Sequence, residues 1–511
     1  MNGAVSATRV VLVLAWRYAR EYLRHPATWS TVLLLAASWG WEFAQQTPVQ
    51  YRVLSDESVN VQVSALLVGA GLCVAALQVA ARPSRTGSSE FERVQPLPRW
   101  RDTLALMLGI LPVAGVVLVL AAARLASFRV VVGWAGQVVP SELITVAAVT
   151  LVAGVAGAAA GRILGSIVWG GVALGLLGVA VVVVLSVGGS AAWFGLVAPL
   201  DPLVPGPVPT DLMGRPGVWH VLWLALVASA LTLTALLRDG LRWTRGVPIL
   251  LLVVILAFGA GRNQSGVPSG DIQAKRAATW GAQSEECAVD AHDRYCAFGE
   301  FTGRAQAWRH VVAGVRTRVP EPVLESDSLV VRQVLSTGPD TEWMIPEASW
   351  ALDQASDVNI VYAPMDWSTT GTGRSEEASV LAFAVDVAAR SIAGVPEPER
   401  DHIVNLCGAQ GVLVLWAAVA SDSSVEAAFQ GFQSSSSGGA VWTKTARSAS
   451  GYAFSASEVD VVNHLLDEPR AVAERTVQGA DWHDPGLATI EVAQGLGLSA
   501  PVARPEGWLC P

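Results

Sequence analysis

The sequence predicts an α-helical polytopic membrane domain of six to seven spans, followed by a mixed α+β extracytoplasmic domain. Of its 511 residues, 52% are hydrophobic and 15% charged, against roughly 25% charged residues in typical soluble domains. The apolar residues concentrate before Gly261, where an arginine-rich polar island at 82–102 interrupts them. The charge changes sign along the chain, with 17 Arg against 11 Asp and Glu up to Gly261, and 17 Lys and Arg against 32 Asp and Glu after it.

Residues 1–26 predict a helix that lies in the cytoplasmic interface of the membrane. Arg17, Arg20 and Arg24 recur at three- and four-residue spacing, so they share one face of a helix. Apolar residues surround them, a pattern typical of interfacial helices. A signal peptide is the alternative, but no small-residue cleavage site follows and the next apolar run begins at once.

Apolar runs predict a transmembrane domain over 27–261, because a spanning helix needs about twenty apolar residues. The runs lie at 27–45, 61–81, 103–125, 143–163, 165–188, 218–237 and 246–261. The fourth and fifth meet in a very tight turn and the seventh is short, so the count is six to seven. Small residues at four-residue spacing would allow close helix packing, with coincidence in a chain rich in Ala, Val and Gly as the alternative. These are Gly157, Gly161, Gly165, Gly171 and Gly175.

The arginines predict the sidedness of the spans. Short cytoplasmic loops of membrane proteins are enriched in Lys and Arg. With the N-terminus inside, thirteen arginines fall on the cytoplasmic side, and four fall outside, namely Arg52, Arg124, Arg129 and Arg215. An odd number of spans then places everything after Gly261 outside the cytoplasm. We therefore expect a multi-pass protein of the cytoplasmic membrane, with membrane lipid as one of its partners.

Two further segments complete the predicted organisation: a Gly-, Ser- and Pro-rich linker at 262–285 and the mixed domain at 286–511, with strands first and helices after. CAVDAHDRYC reads as a hairpin with Cys287 and Cys296 near its ends. Outside the cytoplasm, paired cysteines are normally oxidised. The four cysteines of this domain allow three pairings. The hairpin favours Cys287–Cys296, which leaves Cys407–Cys510; a metal site is the alternative, without C-x-x-C spacing to support it.

No catalytic motif occurs in the sequence: H-E-x-x-H, G-x-S-x-G and S-x-x-K are absent. We therefore expect no enzymatic activity, no catalytic residues, no bound metal and no cofactor. A P-loop is also absent, so any ATP hydrolysis would come from a partner subunit. The acidic balance after Gly261 and the two lysines of the chain argue against nucleic-acid binding.

The order of these features resembles the permease subunit of an exporter-type ATP-binding-cassette transporter over roughly residues 8–240. The resemblance rests on the basic helix WRYAREYLRHP before the first span and on FERVQPLPRWRDTLAL before the third. In that family the second cytoplasmic segment holds a coupling helix, which docks on a separate ATPase subunit. The resemblance implies a second permease chain, identical or related, and coupling residues Ser89, Glu90, Phe91, Glu92, Arg93 and Val94.

The seventh span and the large external domain depart from that family's pattern, although actinobacterial permeases are similar, including a cysteine hairpin after the last span. The alternative function is a membrane-anchored extracytoplasmic binding or sensing protein without transport activity. Seven spans are more than such an anchor needs. A fainter resemblance, resting on element order alone, links SVLAFAVDVAARS and the strands before it to a gluzincin peptidase domain without zinc ligands.

Overall fold

The computed structural model describes residues 2–44, 54–85, 98–128, 136–187, 195–197, 215–265, 285–319, 328–334, 359–364, 374–395, 398, 402–435, 439–444, 451–469, 472–474 and 487–497. The chain divides into two compact units. The helical unit contains Met1–Thr47, Leu54–Pro202 and Gly214–Ser269, and the C-terminal unit is built mainly from Gly270–Pro511. Each unit has its own architecture.

Long helices form the described part of the helical unit. They are α1 (Asn2–Arg24), α2 (Pro26–Ala44), α3 (Leu54–Ala80), α4 (Arg99–Leu108), α5 (Leu111–Ser127), α6 (Pro140–Leu164), α7 (Ile167–Val187), α8 (Gly217–Arg238) and α9 (Trp243–Gln264). A single helical turn, Arg82–Arg85, follows α3. Helices α4 and α5 together make one long apolar segment.

Five described helical segments are long and apolar enough to cross a membrane: Glu57–Ser84, Arg99–Ser127, Pro140–Leu164, Gly217–Arg238 and Trp243–Gln264. They coincide with the second, third, fourth, sixth and seventh predicted spans. The first and fifth predicted spans form helices α2 and α7, but neither reaches the same length and apolarity. Polar residues dilute the start of α2, and the described apolar part of α7 covers only Ile167–Ala180. Six to seven spans therefore stays a prediction.

Contacts at the helix ends show that α3 and α6 run in the same direction and that the α4–α5 segment between them runs in the opposite one. The beginning of α3 lies beside the beginning of α6, because the Ser58 hydroxyl donates a hydrogen bond to Glu142. The end of α5 lies at the same place, because Arg124 binds Glu57. At the far end, a hydrogen bond joins the first turn of α4 to the residue that follows α8. This alternation is what repeated membrane crossings require.

Helices α3 and α6 approach each other closely through glycines of α6. A Cβ added at Gly157 would lie 2.1 Å from the Cys73 carbonyl oxygen, and one at Gly161 would lie 2.7 Å from the Ala80 Cβ. Side chains at either position would push the helices apart. This is the close packing that small residues permit in membrane helices.

The other three glycines of the predicted series have different surroundings. Gly165 ends α6 with a φ of +61°, a left-handed conformation that favours glycine at a helix end. A Cβ at Gly171 or Gly175 would meet nothing within 4 Å in the described part of the chain. These two positions on α7 therefore pack against no described element of this chain.

Helix α1 buries one face and exposes another. Its buried residues recur at three- and four-residue spacing: Val11, Ala15, Ala19 and Tyr22. The Tyr22 hydroxyl donates to the Leu106 carbonyl of α4. The arginines of α1 are exposed. This two-faced helix has the pattern predicted for residues 1–26.

The C-terminal unit begins with an antiparallel hairpin of β1 (Glu285–Asp290) and β2 (Asp293–Phe298). Cys287 stands opposite Cys296 in the register, and the two form a disulfide, as predicted. Parallel strands β3 (Val330–Val334) and β4 (Ile360–Pro364) extend the sheet in the order β1-β2-β3-β4. Helix α10 (Ala305–Arg318) connects β2 to β3, after a 3₁₀ turn at Gly299–Arg304.

A second, three-stranded sheet lies among the helices of this unit. Its strands are β5 (Ile403–Asn405), β6 (Val441–Lys444) and β7 (Gly451–Phe454), in the order β5-β7-β6. The unit is mixed, as predicted, but the predicted segregation into strands first and helices after is wrong. Strands of three or four residues give too little alternation to be recognised from sequence.

The remaining helices enclose one large apolar core. They are α11 (Arg374–Ala393), α12 (Gly408–Val419), α13 (Ser423–Ser435), α14 (Ala456–Asp467) and α15 (Thr489–Gly495). Every residue of α12 except Gln410 is buried. Helices α12 and α13 would together be apolar enough for a span, but they are bent by 119°. A helix that is apolar all round belongs in a core or a membrane, and the burial of α12 places it in this core.

Candidate functional site

The predicted coupling residues, 89–94, lie outside the described residues. The structure describes the chain up to Arg85 and again from Pro98. Both flanks belong to the same end of the helical unit, where α3 and α6 finish and α4 begins. The contacts at this end therefore determine which helices the predicted coupling segment could move.

Asp102, in the first turn of α4, connects three helices at this end. Its carboxylate accepts a hydrogen bond from the Tyr18 hydroxyl of α1 at 2.7 Å. It also binds the Arg162 guanidinium in the last turn of α6. An acid in the first turn and a base in the last turn also complement the dipoles of their helices. The beginning of α4 is thereby attached to both α1 and α6.

Two further contacts extend this attachment. Arg82, just after α3, binds Glu21 of α1. The Thr103 hydroxyl of α4 donates to Asp239 at the end of α8. Arg82 is 55% exposed, so this pair contributes only about 0–1 kcal/mol. Both flanks of the 86–97 segment nevertheless contact α1.

The same end presents exposed arginines, and we call it the arginine end. Besides Arg82, the described exposed arginines of this end include residues of α1, of the end of α8 and of the start of α9: Arg17, Arg20, Arg24, Arg238, Arg242 and Arg245. The Arg20 guanidinium carbon lies 5.2 Å from the centroid of the Trp16 ring. Charges exposed in this way are available to an anionic partner.

The opposite end buries its charges, and we call it the glutamate end after Glu57 and Glu142. Arg124, in the last turn of α5, binds Glu57 with 2.5 Å between Nε and Oε1. Their side chains are 7% and 1% exposed. The same guanidinium lies over the rings of Trp39 and Phe128, at 4.5 and 5.2 Å from the centroids. This pair joins α5 to α3.

Glu142, in the first turn of α6, forms the second buried pair. Its Oε1 accepts from Nη1 of Arg215, just before α8, at 2.9 Å, and both side chains are buried. Its Oε2 accepts from the Ser58 hydroxyl of α3. Buried charges are tolerated only when paired and hydrogen-bonded. The two pairs and this hydrogen bond fix four helix ends relative to one another.

His220 and Gln264 add a buried neutral contact at the glutamate end. Nδ1 of His220, on α8, lies 3.0 Å from Oε1 of Gln264, the last residue of α9. Nε2 lies 3.4 Å from the Leu196 carbonyl oxygen. The Trp223 ring stacks on the imidazole at 5.9 Å between centroids. These contacts hold the end of α9 against α8.

Sequence reasoning missed the buried pairs. It assigns Arg124 and Arg215 to outer loops, whereas the structure buries both against glutamates. The available signal was the opposite charge at neighbouring span ends, but only the packing of the helices determines which residues meet. The pairs also mean that the glutamate end presents less positive charge than a count of its arginines indicates.

The cysteines of the C-terminal unit are disulfide-bonded where they are described. Cys287 is bonded to Cys296, and Cys407 also forms a disulfide. Cys510, its predicted partner, lies outside the described residues, so that pairing stays a prediction. Cys73 of α3 is a free thiol. Oxidised pairs in this unit are compatible with an extracytoplasmic location.

Glu458 has a structural role in the C-terminal unit. This fully buried carboxylate accepts from the backbone N–H groups of Ser455 at 2.9 Å and Gly408 at 3.2 Å, and from the Thr489 hydroxyl. These donors stand at the starts of α14, α12 and α15. One side chain therefore fixes three helix N-termini, where negative charge is favourable.

Asp386 of α11 is the second buried carboxylate of this unit. Burial raises the pKa of Asp386, and the opposing effects of Arg390 and of the Tyr452 hydroxyl do not offset it. Tyr452 donates to Oδ1 at 2.9 Å, and Arg390 Nε lies 3.8 Å from the same oxygen. Across the described ranges, no group of three His, Cys, Asp or Glu residues is arranged to hold a metal ion.

Comparisons with known proteins found nothing similar to this chain. No protein-family model, curated protein or solved structure matches the chain. The functional inference therefore rests on the residues and contacts of this chain.

Proposed function

We propose that the chain is the membrane-spanning permease subunit of an ATP-binding-cassette transporter, which moves a substrate with power from a separate ATPase subunit. The observation that supports this most directly is the set of contacts around Asp102. These contacts attach the first turn of α4, the next described helix after the predicted coupling segment, to α1 and α6. Force applied to 89–94 would therefore reach two helices at once, which a coupling element requires.

The glutamate end supports transport over a simple anchor. An anchor needs only apolar surface toward lipid, whereas buried ion pairs specify one arrangement of helices at a desolvation cost. Glu57–Arg124 and Glu142–Arg215 are pairs of this kind. Two differently built ends, one closed by buried pairs and one carrying both flanks of the predicted coupling segment, suit a domain that rearranges its helices.

The proposed orientation places the arginine end and the N-terminus in the cytoplasm and the C-terminal unit outside. Its support is the charge difference between the two ends together with the disulfides of the C-terminal unit. We expect a second permease chain, identical or related, beside this one. Gly171 and Gly175 of α7 leave room for a close neighbour.

The decisive experiment isolates the tagged full chain from its native membrane and measures ATP hydrolysis by the recovered complex. Phe91→Ala should lower recovery of the ATPase subunit about tenfold or more, because burial of a phenylalanine contributes about 1.5–3 kcal/mol. Phe258→Ala is the matched control, since Phe258 is 72% exposed on α9. It should leave recovery unchanged.

Two outcomes would contradict the proposal at different levels. Intact protein that carries no ATPase subunit would favour the anchored binding or sensing protein. Equal recovery from Phe91→Ala and Phe258→Ala, with normal ATP hydrolysis, would move the coupling contact away from 89–94 while leaving the permease proposal standing.

A further inference from the structure

Among the described residues, six exposed arginines of the arginine end form no ion pair: Arg17, Arg20, Arg24, Arg238, Arg242 and Arg245. In the part of this end that the structure describes, the carboxylates are those of Glu21, Asp102 and Asp239, and each already has a partner. The six arginines lie on both sides of these contacts. Arg17, Arg20 and Arg24 are within two turns of Tyr18, which binds Asp102, and Arg238 adjoins Asp239.

Exposed tryptophans accompany these arginines. Trp16 precedes Arg17, Trp243 follows Arg242, and two more stand in the first turns of α2 and α7. The exposed fractions of these four residues lie between 52% and 71%, for Trp16, Trp29, Trp169 and Trp243. Tryptophan rings prefer the depth of the lipid headgroups. Arginines next to them in sequence would therefore lie at headgroup depth, within reach of lipid phosphates.

We propose that the arginine end binds the phosphates of anionic phospholipids, with Arg17, Arg20 and Arg24 forming one part of the site and Arg238, Arg242 and Arg245 the other. A guanidinium donates two parallel hydrogen bonds to a phosphate, which suits it to this ligand. Basic residues near a membrane surface also attract anionic lipid electrostatically. This proposal is independent of transport and of any ATPase subunit.

The glutamate end provides an internal contrast. It also carries exposed tryptophans, Trp41 and Trp219. Its arginines Arg124 and Arg215, however, are buried in ion pairs, and the exposed Arg262 lies near the end of α9. Exposed tryptophans alone would predict contact with lipid headgroups at both ends. Only the arginine end combines exposed tryptophans with a cluster of exposed arginines among the described residues.

Native mass spectrometry of the purified full chain tests the proposal. The protein, in neutral detergent, is offered equal amounts of phosphatidylglycerol and phosphatidylcholine with the same acyl chains. We expect retention of phosphatidylglycerol to exceed that of phosphatidylcholine about tenfold, and each triple variant to lose most of this preference, since each arginine contributes roughly a fivefold attraction. The variants are Arg17→Gln/Arg20→Gln/Arg24→Gln and Arg238→Gln/Arg242→Gln/Arg245→Gln.

Two controls separate charge from misfolding. Arg238→Lys/Arg242→Lys/Arg245→Lys keeps the charge and should keep the preference. Arg262→Gln removes an exposed arginine from the other end of α9 and should also keep it. If a glutamine variant does not fold, added salt still tests wild type, because salt should release phosphatidylglycerol by screening exposed charges.

Equal retention of the two lipids by wild type would overturn the proposal. So would an undiminished preference in both folded glutamine variants. If those variants kept the lipid preference and lost an ATPase subunit instead, the arginines would be a protein-docking surface. If Arg262→Gln lost as much of the preference for phosphatidylglycerol as the triple variants, the arginine end would likewise not be the site.

Discussion

At the glutamate end of the helical unit, Arg124 and Arg215 are buried beside glutamates, whereas at the arginine end a cluster of arginines that includes Arg17, Arg20 and Arg238 is exposed. The same residue type thus has two physical roles in one bundle. A buried, paired guanidinium specifies which helices meet, and it becomes costly if its partner is removed. An exposed guanidinium contributes little to the fold and is available to another molecule.

The difference shows why counting arginines gives only part of the electrostatic asymmetry. Each buried arginine of the glutamate end is neutralised by its glutamate, while the arginine end retains its exposed charge. A count of arginines therefore does not show which of them remain exposed, since Arg162 is also paired at the arginine end. Three of the following experiments compare the ends or the contact between them, and the fourth concerns a buried carboxylate of the C-terminal unit.

The largest expected effect is all-or-none labelling across α9. Asn263→Cys and Thr244→Cys place thiols at exposed positions near opposite ends of this helix. In a Cys73→Ala background, a membrane-impermeant maleimide applied to intact cells should label position 263 and leave position 244 unlabelled. Labelling at 244 alone would reverse the proposed sidedness, and labelling at both would exclude α9 as a span.

The next largest effect is the loss of a buried pair. Arg124→Ala leaves Glu57 buried without its arginine, which should lower the free energy of unfolding by about 3–5 kcal/mol. Arg82→Ala breaks an exposed pair at the other end and should lower it by about 0–1 kcal/mol. Unfolding in mixed micelles, followed by circular dichroism, measures both. Equal losses would mean that the two ends do not differ in the proposed way.

A smaller effect tests the contact that connects the ends. The side chain of Gly157→Ala would meet the backbone of Cys73 at 2.1 Å, so we expect a loss of about 1–3 kcal/mol by overpacking. Gly175→Ala meets no described atom within 4 Å and should be neutral or slightly stabilising, since alanine favours helix. The same unfolding assay applies, and a tolerated Gly157→Ala would argue against close α3–α6 packing.

The smallest effect concerns Asp386, a buried carboxylate. Its arginine, Arg390, lies farther from it than the arginines of the glutamate end lie from their glutamates. Because the pKa of Asp386 is raised in the folded chain, protonation stabilises the fold, and this contribution is lost as pH rises from the ordinary aspartate range through the folded pKa. Asp386→Asn should lack that part of the pH dependence. Compared with wild type, the variant should gain stability as pH rises above the ordinary aspartate range; parallel pH profiles would exclude the raised pKa.

Much of the fold follows from local sequence patterns. Helices occur at all the predicted spans, because a long apolar run needs no tertiary contact to identify it. The Cys287–Cys296 disulfide was predictable for a similar reason, since a hairpin brings its own ends together. The amphipathic face of α1 also follows from residue spacing alone.

The missed features depend on residues far apart in the chain. Glu142 meets Arg215 and Ser58 only because α6, α8 and α3 begin at the same place. Strand β5, just before the helix that begins at Gly408, cannot be recognised from its own three residues, because they are held by pairing with β7. No local propensity encodes such pairings. The number of spans stays open for a different reason: polar residues dilute the start of α2, and the described apolar part of α7 covers only Ile167–Ala180.

The bend after α12 has a consequence for biosynthesis. Helix α12 has 12 residues, about 18 Å at 1.5 Å per residue, against the roughly 30 Å of a bilayer's hydrocarbon core. Its apolarity would suit membrane insertion, but its length would not. The 119° turn into α13 keeps the two helices from joining into one continuous segment that could be retained in the bilayer. The bend therefore lets the nascent chain deliver this apolar helix to a protein core instead of to lipid.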